Sequence, residues 1–372
     1  MIYLDYAAGT PVKPEVLKAY NNTLKKYYAN PNSYHRLGRE AQKLIADSTK
    51  NIAHNLNVLE EEIIYTSGSS ETNNLVVKGI CGRYKAYGKH ILISALEHNS
   101  IVSACASMQE LGFEVEVIPF TKDGYVSLEE LKKMLREDTI LVSICSVDSE
   151  LGLIQPIEEI ATILKDYPHC YFHTDATQSF GKVAIDFTNV DLVTISSHKI
   201  SGLPSSSILI KKKNVGLKSQ INGGKSTTIY RSGTPDVAAI AAFDKAIELC
   251  LASQDQDYKY IENLSNIIKN KLREYKNIVI NTTSNSIPHT INFSLKGVRS
   301  LEVMQKFDAK DIYISTKTSC CPLETPSKLV YALTQDKSLS TSSLRVSLSA
   351  LTTENEVNKF LKELDVIYKE YY

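Results

Sequence analysis

The 372-residue chain carries no net charge, because 42 Lys plus Arg are matched by 42 Asp plus Glu. Without a global field there is no pull on a polyanion, so nucleic acid and anionic membrane surfaces are not expected partners. None of the seven cysteines forms a C-x-x-C pair. Their scatter suits a reducing compartment better than a disulfide framework or a zinc site. No apolar run approaches the length of a membrane span. The opening MIYLDYAAGTP lacks a basic region followed by an apolar one, so a cytoplasmic protein is expected. What remains is an ordinary globular composition, in a chain long enough that two domains are the default.

The most informative stretch is Cys170 to Pro204, CYFHTDATQSFGKVAIDFTNVDLVTISSHKISGLP. Cys170 to Thr174 reads as a buried strand ending at Asp175, and Asp191 to Ile195 as a second ending in Ser196-Ser197-His198-Lys199. Reactive groups of open α/β sheets gather beyond the carboxyl ends of strands, so Asp175 and Lys199 point to one shared crevice. An amine able to form a Schiff base, and an acid able to pair with a pyridinium nitrogen, are the two groups that pyridoxal phosphate (PLP) most needs. Taken singly, each residue reads as a surface lysine or a helix-capping aspartate.

Elsewhere strands and helices alternate. Strands are expected at Glu62 to Thr66, Ile91 to Ser94, Glu114 to Ile118 and Ile140 to Ile144, with helices at Val16 to Tyr27, Arg36 to Leu56 and Leu128 to Leu135. Units of this length argue for a mainly parallel sheet with helices on both faces. A helix follows over Val237 to Leu251, and the polar run Ala252 to Tyr258 reads as a hinge into a smaller domain. That domain is expected to contain an amphipathic Tyr260 to Tyr275, strands at Ile278 to Thr282, Thr290 to Leu295 and Leu344 to Leu348, and helices at Leu301 to Phe307 and Val357 to Tyr368. Ser67-Gly68-Ser69-Ser70 stands between a strand and a helix starting near Glu71. Such a loop can bind phosphate through free N–H groups and the helix dipole. It can equally be a helix cap, with Ser69 or Ser70 as N-cap and a nearby Glu completing a capping box. His98, taken alone, reads as a cap or a solvated side chain, and Arg345 as a surface charge.

Together, HTDATQSFGK and SSHK, with LDYAAGTP (Leu4 to Pro11), NPNSYHRLG (Asn30 to Gly38), TSGSSETNN (Thr66 to Asn74), EHNS (Glu97 to Ser100), RSGTPDV (Arg231 to Val237) and LRVSLSALTTENE (Leu344 to Glu356), resemble the cysteine desulfurases of the class V aminotransferase family. The likeness implies a fold-type I PLP-dependent transferase of α/β class. Residues 1–254 would form a large domain with a mainly parallel seven-stranded sheet, and residues 255–372 a smaller C-terminal α/β domain carrying the cysteine loop. Residues 1–14 would pack on the small domain. The implied cofactor is PLP, held by Lys199, with Asp175 on the ring nitrogen, His98 stacked on the ring, and Gln178 and Ser149 on its phenolic oxygen. Ser69, Ser70, Ser196 and His198 would hold the phosphate, joined by Thr234 from the other subunit of a homodimer. Arg345, with Ser149, would bind the carboxylate of L-cysteine. Cys320 would be the nucleophile that takes sulfur as a persulfide, releases alanine and passes the sulfur to an acceptor protein.

The chain departs from the family pattern in several places. Ser149 replaces the second of two adjacent Asn, Ser197 replaces Gly, and Lys225-Ser226-Thr227 follows Gly224 where Gln-Glu is usual. Lys317 replaces the glycine before the cysteine motif and could lower the thiol pKa, while Cys321 replaces a Thr. These departures leave other class V reactions open, such as selenocysteine lyase, cysteine β-elimination or epimerisation, as well as a PLP-fold scaffold that binds a partner. The acceptor pathway, iron–sulfur cluster assembly or tRNA thiolation, is also open.

Overall fold

A computed structural model describes residues 1–224, 226–317 and 325–372. After the short strand β1 (Ile2–Tyr3) come helices α1 (Pro14–Lys26) and α2 (Arg36–Leu56). The expected limits of α2 are met to the residue. His35 caps its N-terminus by accepting from Gly38 N, and Asn57 ends it in the left-handed region.

The central sheet is built from β2 (Ile63–Thr66), β3 (His90–Ser94), β4 (Glu114–Ile118), β5 (Thr139–Ser143), β6 (Tyr171–Asp175), β7 (Leu192–Ser196) and β8 (Ser207–Lys211). They lie in the order β2-β8-β7-β6-β5-β3-β4. All neighbouring pairs are parallel except those made by β8, which runs antiparallel to β2 and β7. The expected parallel sheet therefore holds, with one reversed strand that periodicity does not reveal. Every residue of Ser207–Lys211 is buried, so the run shows none of the alternation that marks a half-exposed strand. Between strands lie α3 (Ser69–Tyr84), α4 (Asn99–Gln109), α5 (Leu128–Met134) and α6 (Ile157–Leu164).

The segment expected as a hinge is helical. Helix α7 runs unbroken from Val237 to Arg273, so Ala252 to Tyr258 and the 254/255 boundary lie inside it. The run is polar but contains neither Gly nor Pro, and polarity alone does not end a helix. The first half of α7 buries Phe243, Ala246 and Ile247 in the core beneath the sheet. The second half buries Ile261, Leu264, Ile268 and Leu272 in a separate core with Phe293, Phe307 and Phe360. Full burial of each such side chain contributes roughly 1.5–3 kcal/mol. This second core sits on the three-stranded sheet of β9 (Ile278–Ile280), β10 (Thr290–Leu295) and β12 (Ser343–Ser347), with β10 central and antiparallel to both. β11 (Ile312–Tyr313) pairs with β1. Helices α8 (Ser300–Asp308), α9 (Lys328–Thr334), α10 (Lys337–Thr341) and α11 (Glu354–Tyr371) complete it.

The N-terminal segment links the two cores. Ile2 and Leu4 are buried in the second, Ser347 N donates to Leu4 O at 2.7 Å, and Ala7 N donates to Ser347 Oγ at 2.9 Å. The chain then crosses to the first body, where Thr10 Oγ1 donates to His198 O at 2.8 Å and Lys13 N to Ser201 O at 2.9 Å.

Candidate active site

A cavity of about 270 Å³ opens where the carboxyl ends of β3, β5, β6 and β7 meet the N-terminal segment and β12. Ser69, Ser70, His98, Ser149, Asp175, Gln178, His198, Lys199 and Arg345 all line it. Residues up to 276 positions apart are gathered here, because each follows a strand end or stands on β12.

Asp175 closes β6 and is buried. Asn73 Nδ2 donates to its Oδ2 at 2.8 Å and Thr177 N to its Oδ1 at 3.0 Å. Asn73 is aimed in turn by Thr194, whose Oγ1 donates to Asn73 Oδ1 at 2.9 Å. Lys199 ends the single 3-10 turn after β7, and its Nζ donates to Ala7 O at 2.8 Å and Ala8 O at 2.7 Å. Gln178 Nε2 reaches the same Ala7 carbonyl at 3.0 Å.

His98 is the N-cap of α4, its Nδ1 accepting from Ser100 N at 3.2 Å. Burial lowers its pKa, so the ring is neutral near neutral pH. His198 is driven further, to about 4, by burial and then by the charges of Lys199 and Lys182. The preceding Glu97 is buried, its Oε1 accepting from Ser94 Oγ and Cys145 N at 2.6 Å each. Burial pushes this carboxyl up to about 8.

At the other end, Gly68 is the N-cap of α3, so Ser69 and Ser70 are its first two residues rather than its caps. Glu71 reaches back to Ser67 N at 2.8 Å and pairs with Arg231 Nε at 3.0 Å. The first-turn N–H groups of a helix have no acceptor within it, and here they border the cavity.

Arg345 projects from β12 with its side chain 1% exposed. Its Nη1 donates to Ser149 O and its Nη2 to Asp5 Oδ1, each at 2.7 Å. Its Nε is buried with no partner. Ser149 thus meets the arginine through its backbone, and the neighbouring Asp148 spends its carboxylate on Glu150 N, Leu151 N and Leu153 N at 2.7 to 2.8 Å.

One phosphate ligand expected from this chain does not line the cavity. Ser196 is buried behind the wall, its hydroxyl shared with His198 Nδ1 at 2.8 Å and Ser207 Oγ at 3.1 Å. Thr234 is exposed and does not line the cavity. Cys320, with its neighbour Cys321, and Lys225 lie outside the described residues. Lys317, expected to lower the thiol pKa, donates to Thr325 O and, at 2.7 Å, to Thr325 Oγ1.

The aminotransferase class-V pattern matches residues 2–360. The chain belongs to the class-V aminotransferase family. A relative described as "Cysteine desulfurase IscS" from Dictyoglomus turgidum is 36% identical over 99% of this chain and 95% of its own length. A solved structure titled "NIFS-LIKE PROTEIN" superposes with a TM-score of 0.93 at 29% identity, covering 99% of both chains. Another, "SspA in complex with cysteine", has a TM-score of 0.82 at 29% identity over 95% of this chain and all of its own.

Class-V aminotransferases are PLP-dependent, and the cavity fits that cofactor. It offers a helix N-terminus with two hydroxyls for a phosphate, an amine for the aldehyde, and a carboxylate already steered by Asn73 for a protonated ring nitrogen. Ser149 O and Asp5 take two of the five guanidinium N–H groups of Arg345, and the three left for a carboxylate include the unpartnered Nε. Sequence reasoning missed Asp5, the Ala7 and Ala8 carbonyls, and Asn73. All four sit within the quoted motifs LDYAAGTP and TSGSSETNN, where their residue types alone carry no distinctive chemistry.

Proposed function

We propose that this class-V aminotransferase is an L-cysteine desulfurase. The observation that carries the reading is one cavity holding the Lys199 amine, the Asn73-steered carboxylate of Asp175 and the buried guanidinium of Arg345. Such a site can anchor an amino acid by its carboxylate at one point and present its amino group for Schiff-base formation at another.

When bound to Lys199, PLP supplies an electron sink for the amino acid. Asp175 keeps a proton on the ring nitrogen, and its two donors hold the carboxylate to that task. His98, neutral and accepting from Ser100 N, would stack on the ring. Lys199, whose ammonium the Ala7 and Ala8 carbonyls hold, would carry the cofactor and move protons to and from the substrate. Ser69, Ser70 and His198 bind the phosphate, and Arg345 orients the cysteine carboxylate. Cys320 attacks as thiolate: its S–S bond to the substrate sulfur forms as the substrate's C–S bond breaks. Protonation of the carbon left behind yields alanine.

Thr234 is exposed in an intact RSGT motif, which supports a homodimer in which it completes the partner's phosphate site. The persulfide sulfur goes to an acceptor protein serving iron–sulfur assembly or tRNA thiolation. Free, buried thiols at Cys81, Cys105, Cys145, Cys170 and Cys250 support a reducing cytoplasm. Purified protein incubated with L-cysteine and a thiol should form alanine and sulfide in equal amounts, and Cys320→Ser should abolish both. Pyruvate in place of alanine, unaffected by that substitution, would make the protein an eliminating lyase.

A further inference from the structure

Behind the cofactor cavity lies a second one of about 100 Å³, lined by Lys182, His289 and Cys250, with Lys199 and Ala7 forming part of the wall between the two. Lys182 Nζ donates to Gln178 Oε1 at 2.7 Å. Gln178 Nε2 donates to Ala7 O at 3.0 Å, and Lys199 Nζ to the same oxygen at 2.8 Å. An ammonium only donates and a carbonyl only accepts. The amide is therefore held from both ends, its oxygen toward Lys182 and its nitrogen toward Ala7 and the cofactor cavity. The turn that allows this depends on Gly181, where φ is +72° and a Cβ would stand 1.8 Å from Cys250 Sγ.

Gln178 Nε2 has two hydrogens, and Ala7 O takes one. Both Nε2 and Lys199 Nζ lie within 3.0 Å of that oxygen and both residues line the cofactor cavity, so the amide and whatever the lysine carries share one edge of it. In PLP the atom next to the lysine-bearing carbon is the ring carbon flanked by the phenolic oxygen.

We propose that Lys182 is a positioning residue that locks the Gln178 amide with its N–H facing the phenolic oxygen of the cofactor. This rests on the reading that Lys199 carries PLP. Without Lys182 the amide oxygen loses its partner inside the wall, and the side chain is released to turn away. The groups that face Lys182 are Lys199, Arg345 and Cys250, with His198 and His289 close enough to feel its charge; Asp257 lines the same cavity. Burial and the Lys199 charge bring Lys182 down to about 7, but an uncharged amine still has N–H groups to donate.

The visible absorption of the holoenzyme titrates with the proton shared between the Lys199 nitrogen and the phenolic oxygen. A donor on that oxygen makes it a poorer partner for the proton and lowers the midpoint. Lys182→Met should raise the midpoint by about one pH unit, the scale of one hydrogen bond. Loss of the charge alone would also raise it, so two further variants separate the causes. Lys182→Gln keeps a donor without a charge and should stay near the wild-type midpoint. Lys182→Met placed on Gln178→Leu should add little to the shift of Gln178→Leu alone. An unshifted Lys182→Met, a full shift in Lys182→Gln, or additive shifts in the double variant would overturn the proposal. Borohydride labelling of a lysine other than Lys199 would instead overturn the reading beneath it.

Discussion

Replacing Glu97 by Gln should stabilise the protein, and by an amount that grows with pH. Glu97 is buried, its Oε2 has no partner, and its Oε1 accepts from Ser94 Oγ and Cys145 N. Burial lifts its pKa from 4.5 to about 8; the two hydrogen bonds act against that rise and the charge of Asp175 adds to it. Between those two values the unfolded chain is ionised here while the folded chain holds a proton. Stability is therefore fully present below about pH 4.5 and is lost as pH rises to about 8. Gln keeps the acceptor for Ser94 and Cys145 and has no proton to lose. At 1.36 kcal/mol per unit, the variant should gain roughly 3 kcal/mol at pH 7 and close to nothing at pH 4.5. For a chain of this size that is about 4 °C in Tm. Thermal or urea unfolding of both PLP-loaded proteins at several pH values checks it. A gain of the same size at pH 5 and pH 8, or a loss at pH 8, would refute the assignment of Glu97 as a protonated buried acid.

The other predictions concern the site. The protein should be yellow as purified, and borohydride should fix the pyridoxyl group on Lys199; Lys199→Ala should fold, by circular dichroism, yet show no turnover. Arg345→Lys should raise KM for cysteine about tenfold or more, because a compact ammonium lacks the planar fork that reaches Ser149 O and Asp5 and still presents paired donors to a carboxylate; a KM within twofold of wild type in steady-state assays would count against the carboxylate role. Dilution that dissociates the dimer should release PLP, and Thr234→Ala should weaken PLP retention in equilibrium dialysis; a monomer holding PLP tightly would contradict the shared site.

Much of the site was legible in the chain because its parts stand at strand ends. β6 and β7 are short apolar runs, and each stops at the polar residue that lines the cavity, Asp175 or the Ser-Ser-His-Lys turn. A buried strand has few alternatives for such a pattern, so Asp175 and Lys199 could be paired before any coordinates. The extent of α2 was legible from the helical spacing of its apolar residues, and the structure closes it with a capping His35 and a left-handed Asn57. Composition misled where a local cue was silent. The run from Ala252 to Tyr258 is polar, yet it continues α7 because the flanking turns bury Ile247 in one core and Ile261 in the other. β8 is buried throughout like β7, and its reversed direction depends on which strands it pairs with, which no local pattern states.

Contacts between distant segments belong to the tertiary structure alone. Asp5 meets Arg345 across 340 positions, and Ala7 meets Gln178 and Lys199 across 171 and 192. A motif says which residue types are present at each place, but not which of their donors and acceptors are already engaged. The folded chain decides that Arg345 arrives at the cavity with Asp5 as counter-ion, that Ser196 turns its hydroxyl to His198 and Ser207, and that Lys182 stands behind Gln178. Hydrogen-bond polarity depends on the neighbours each group acquires on folding, and those neighbours come from both cores.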